Sequence, residues 1–111
     1  MKARHEIRIT HLARQDMAAI LDWTREHFGT RQRKAYARIL ALAMRALADD
    51  PEVAGARPAE YIAPGIHLLH VARGGRKGRH IIVFRVNAMG ARVDVLRVLH
   101  DSMDLMRHMP D

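Results

Sequence analysis

The chain contains no cysteine, so disulfides and thiolate metal sites are both excluded, and stability must come from packing alone. No apolar run approaches the ~18 residues a membrane span needs. The opening MKARHEIRIT alternates charged with apolar residues and lacks the continuous apolar core of a secretory signal. These absences lead to the expectation of a cytoplasmic protein with no membrane contact. Aromatic residues make up 5% of the chain, namely Trp23, Phe28, Tyr36, Tyr61 and Phe84. Assigned mostly to core or loop, they leave little for single-stranded nucleic acid to stack on, which weighs against a simple nucleic-acid-binding module.

The usual catalytic constellations are missing as well. Ser102 is the only serine and no GxSxG surrounds it. The glycine-rich GGRKGR departs from the GxxxxGK(S/T) phosphate cradle and reads as a basic hairpin turn. Asp49, Asp50, Glu52 and Glu60 gather around a loop, where helix termination and solvation account for them. The eight histidines include no HxxxH or HExxH pair on a helix, and His67 and His70 fall on opposite faces of a predicted strand. No metal, cofactor or small-molecule substrate is expected.

What remains is a chain of 111 residues, enough for one domain spanning 1–111 around one core. Its 49% hydrophobic and 28% charged residues describe a folding, globular chain. Lys and Arg total 19 against 12 Asp and Glu, a net charge of +7 that attracts polyanions or acidic protein segments.

Ile7 and Ile9 alternate with polar neighbours, the period of a half-buried strand. From Ala13, the apolar residues Met17, Ile20, Leu21 and Phe28 recur at helical steps. Gly29 then ends this helix, and Thr30 is expected to cap a second one carrying Tyr36, Ile39, Leu40, Ala43 and Leu47. Asp49, Asp50 and Pro51 stop the second helix, giving an αα-hairpin with a basic outer face. A Pro- and Gly-containing loop leads to three strands, IHLLHVA from Ile66, HIIVFRV at 80–86 and RVDVLRVL at 92–99, separated by GGRKGR and by NAMG at 87–90.

This order predicts an α+β fold, β-α-α-β-β-β, with the αα-hairpin packed on one face of a twisted antiparallel sheet. Ile20, Leu40 and Phe84 are expected in the core. Ile82, Phe84 and Val86 share one face, while Ile81 and Val83 line the other beside Arg85. Both faces are apolar, so the second must be shielded by the C-terminal segment or by a partner. The second half also concentrates Arg73, Arg76, Lys77, Arg79, Arg85, Arg97 and Arg107, with His80, His100 and His108. Loop charges such as Arg73, Arg76 and Lys77 read as a solvated rim, whereas Arg85 and Arg97 interrupt apolar strands and must snorkel, pair or face a ligand.

The run GRHIIVFRV followed by VDVLRVLHDSMDLMRH resembles the end of ParE-type toxins of the RelE/ParE toxin–antitoxin superfamily. The leading strand, Asp16 and Met17 before Ile20, Phe28–Gly29 and the YARIL run agree in layout. The resemblance implies the same RelE/ParE-like fold and the toxin role of a type II system, with inhibition of DNA gyrase and a cognate ParD-like antitoxin in a toxin–antitoxin hetero-oligomer. It implies a non-enzymatic protein with a target-binding surface of Arg85, Arg97, His100, Met103 and Arg107. An antitoxin would lie on Ile81, Val83, Arg85 and Met106. The alternative is a RelE-like, metal-independent endoribonuclease acting on messenger RNA at the ribosome, in which Arg79, Arg85, Arg97 and His100 would serve proton transfer and phosphate charge. The chain has no tyrosine beyond Tyr61, and this ending is similar to the gyrase-directed branch.

Overall fold

The computed structural model describes residues 4–87, 89 and 91–109. In chain order, β1 (Glu6–Ile9) is followed by α1 (His11–Phe28), α2 (Thr30–Asp49), β2 (Arg57–Pro58), β3 (Ile66–His70), β4 (His80–Asn87), β5 (Arg92–His100) and a short 3-10 turn, Leu105–His108. The turn expected at 87–90 includes positions 88 and 90, which lie outside the described residues. Among the described residues, no helix is long and apolar enough to cross a membrane.

The helix ends follow from local chemistry. Thr10 caps α1, its side chain accepting the Ala13 N–H at 3.2 Å, so the helix begins two residues before its apolar period does. Gly29 joins the two helices at φ 89°, a backbone state that favours glycine. Its N–H closes on the Arg25 carbonyl at 2.8 Å, and its own carbonyl accepts from Arg33 at 3.1 Å. Gly29 therefore stands at the cap position, and Thr30, expected there, is the first residue of α2.

The sheet has five strands in the order β1-β5-β4-β3-β2. The β3–β4–β5 meander is antiparallel, as its glycine-rich turns implied, but β1 pairs parallel with β5, which makes the sheet mixed. At the far edge β2 pairs with β3 through two residues. Such a stretch shows no alternation, and Pro58, without an N–H, is tolerated because it sits at an edge.

Two apolar clusters sandwich the sheet. Ile82, Phe84, Leu69, Val93, Val95 and Val98 meet Leu40, Ala43, Met44 and Leu47 of α2 and Ala13 of α1. On the other face Ile66, Leu68, Ile81, Val83 and Leu99 lie under Ala59, Ile62 and Ala63 of the preceding loop and Leu105 and Met109 of the tail. Val83 pairs with Arg97 and Phe84 with Val95, so Leu96 is an extra residue, a bulge in β5. The bulge lets Val95 and Val98, three apart, both face the helices. Of the three residues expected in the core, Leu40 and Phe84 are buried, whereas Ile20 is half-buried because α1 overhangs the sheet.

Candidate interaction groove

The overhang opens a groove of about 680 Å³ between the hairpin and the end of the β4–β5 pair. Ile20, Trp23 and Phe28 contribute one wall, and Ala35, Tyr36 and Ile39 of α2 the other. Lys77, Arg79, His80 and His100 supply its polar end, and among the described residues no acidic side chain lines it. The wall follows from the α1 stripe. Its members Ala13, Met17, Ile20 and Leu21 pack against the helix–sheet core, whereas Trp23 and Phe28 lie outside it. Trp23 is 53% exposed and Phe28 64% exposed. They sit edge to face at 5.7 Å, with His27 stacked on Trp23 at 4.2 Å, so the end of α1 carries an aromatic ridge.

The polar end is held by a chain of hydrogen bonds. The Arg79 backbone N–H donates to the Tyr36 hydroxyl at 3.2 Å, and that hydroxyl is hydrogen-bonded to Nδ1 of His80 at 2.6 Å. Burial holds the phenol protonated, raising its pKa. Burial, and next the neighbouring His100, lower His80 from 6.5 to about 4. His80 is thus neutral at pH 7. The two imidazoles meet edge to face at 5.4 Å. Nδ1 of His100 is engaged by the Ser102 hydroxyl at 2.7 Å. Gly78 makes the turn's close approach possible: a Cβ there would lie 2.6 Å from a Val71 methyl and 3.1 Å from the Tyr36 oxygen.

Asp101 gathers the remaining charge. It accepts from His70 Nε2 at 3.0 Å and from Arg79 Nε and Nη2 at 3.2 Å. The His70 bond, followed by the Arg79 bond, holds its carboxyl below the usual carboxylate range.

The residues singled out from the sequence separate into distinct places. Arg79 and His100 reach the groove. Arg85 stands opposite Ile66 and Asp94, five positions along β4 from His80, which is roughly 16 Å of strand. It snorkels across Gly65 and donates to the Pro64 carbonyl at 3.2 Å. Arg97 pairs with Asp16 through Nε at 2.7 Å and Nη2 at 2.8 Å. Ile81 and Val83, expected to be shielded by the C-terminal segment or by a partner, are 7% and 0% exposed, because the loop and the tail of the same chain cover them. Met103 and Met106 are exposed, and the Arg107 side chain reaches into solvent beside Asp104.

The groove itself was missed, since Trp23 and Phe28 read as core. Helical period places both on or beside the apolar stripe, and nothing in the sequence separates the stripe's covered members from its exposed ones. Among the described residues, no group of three or more His, Cys, Asp or Glu is placed to hold a metal ion.

Comparison with known proteins agrees with this architecture. Residues 7–105 match the family model for the ParE toxin of type II toxin-antitoxin system, parDE. Toxin ParE1 of Caulobacter vibrioides is 29% identical over 102 residues, covering 92% of this chain and 95% of that protein. Toxin ParE1 of Mycobacterium tuberculosis is 32% identical over 97 residues, 87% of this chain and 90% of that protein. Among solved structures, the chromosomal ParDE system of P. aeruginosa superposes with a TM-score of 0.72 at 21% identity, covering 89% of this chain and 98% of that one. The RelBE2 toxin–antitoxin complex of M. tuberculosis gives 0.63 at 19% identity, with 90% and 94% covered. At these identities the two structures speak to the fold.

Proposed function

Because the chain belongs to the ParE family of toxins from type II toxin–antitoxin systems, we propose that it arrests growth in the cytoplasm by binding DNA gyrase, and that a cognate ParD-like antitoxin neutralises it. Binding without catalysis is supported by one observation above all. The four residues a RelE-like nuclease would need do not all meet: Arg79 and His100 share the groove, but Arg97 is committed to Asp16 and Arg85 stands roughly 16 Å along β4 from His80. An active site must hold its groups within hydrogen-bond reach of one substrate.

The antitoxin reading draws on the groove. Its apolar walls fit a helix or extended segment carrying aliphatic or aromatic anchors, and Lys77, Arg79 and the +7 net charge favour carboxylates beside them. With Ile81 and Val83 covered, this is where an antitoxin segment finds open apolar surface without displacing the toxin's own tail.

A second reading, ribosome-dependent cleavage of messenger RNA, is favoured by the way Tyr36, His80, His100 and Lys77 border one groove. Purified protein added to gyrase supercoiling reactions, and separately to translating ribosomes carrying a labelled message, decides between them. Blocked supercoiling with intact message is the expected result. Cut message with untouched supercoiling overturns the proposal and moves the chemistry to His80 and His100.

A further inference from the structure

We propose that Asp16 and Arg97 form a positioning clasp through which α1 sets the placement of the C-terminal turn, and with it the exposed surface of Met103, Met106 and Arg107. The part of this that concerns target binding rests on the gyrase reading above.

The argument starts at an interrupted edge. β1 accompanies β5 only as far as the pair Ile9–Val95, where the chain turns into α1. Thr10 continues the pairing briefly, its N–H donating to the Val95 carbonyl at 3.1 Å and its hydroxyl to the Leu96 carbonyl at 3.0 Å. Beyond the bulge, among the described residues, no strand is left to take the outward N–H of Val98. Oδ2 of Asp16 accepts it at 3.0 Å, so a helix side chain stands in for the missing strand.

The same carboxylate holds the Arg97 guanidinium by two parallel bonds, and the two side chains are only 18% and 14% exposed. A forked, shielded pair of this kind is directional as well as strong, and a lysine cannot reproduce its geometry. Arg97 then spends its remaining nitrogen, Nη1, on the backbone carbonyl of His108. Among the described residues, the other hydrogen bonds of 105–109 stay within the tail. Arg97 is thus the polar tie between the tail and the body, alongside the apolar contacts of Leu105 and Met109. Among the described residues, the side-chain hydrogen bonds of Asp16 go to Arg97 and to the Val98 N–H, so its polar route to the tail runs through Arg97.

The test uses the full chain with Asp16→Asn, which keeps the shape and removes the charge, and Arg97→Lys, which keeps the charge and removes the fork. Amide hydrogen exchange reads the clasp without reference to any target. The expected result is that the Val98 and 105–109 amides exchange about tenfold faster while core amides such as Ile82 stay protected. In supercoiling reactions each variant is expected to weaken inhibition about tenfold, and Arg107→Glu to add less in the Asp16→Asn background than alone, since both act through one surface. Unchanged tail exchange in both variants overturns the clasp, as does loosening of core and tail together. Fully additive effects on inhibition overturn its positioning role. Failure of the unaltered chain to inhibit gyrase sinks the gyrase reading instead, and the exchange result still decides the clasp.

Discussion

The Tyr36 hydroxyl stands 2.6 Å from Nδ1 of His80 while accepting the Arg79 N–H, so one oxygen on α2 ties the helical hairpin to the first residue of β4. Tyr36→Phe removes both bonds and takes away this partner of the half-buried His80 ring. A loss of about 1–3 kcal/mol is expected in urea denaturation. An unaltered midpoint would mean that the phenol does not hold the groove together.

A neutral His80 makes stability depend on pH in a defined window. Its folded pKa, about 4, lies below its ordinary 6.5, so between those values the unfolded chain takes up a proton that the folded chain refuses. Stability therefore falls as pH drops from 6.5 toward 4 and loses nothing further from this group below that. Asp101 acts lower, because its carboxyl is already depressed from 3.8. Melting temperatures of His80→Gln, followed from pH 7 to 4, should decline less steeply than those of the parent. Parallel curves would contradict a neutral, proton-refusing His80.

Trp23→Ala and Phe28→Ala should separate binding from folding. With more than half of each side chain in solvent, their truncation is expected to change stability by no more than about 1 kcal/mol. If they anchor the antitoxin, each should weaken complex formation by about 2 kcal/mol, some thirtyfold, in titration calorimetry. Full affinity in both variants would move the antitoxin off this groove.

Phe84 is fully buried and stacks on His67 at 5.6 Å. Phe84→Ala should cost about 3–5 kcal/mol in chemical denaturation. A loss below about 1 kcal/mol would be incompatible with the packed helix–sheet core.

Much of this protein is local and was readable in one dimension. The strand period at Ile7 and Ile9, the two helical stripes, the glycine between them and the alternation of Ile81 to Phe84 are consequences of backbone geometry acting on neighbours in sequence. The C-terminal run, through its resemblance, carried the family. Tertiary structure decided where those elements end up and which charges are spent. No local signal told that β1 would dock parallel to β5, or that a bulge at Leu96 would put Val95 and Val98 on one face. Arg97 could pair or face a ligand until α1 brought Asp16 to it from 81 residues away. Trp23 and Phe28 belong to the same helix as the core residues of α1, and only the packing of the whole chain leaves them in solvent. Period reports which way a side chain points, but burial and charge pairing depend on what the rest of the chain places opposite it.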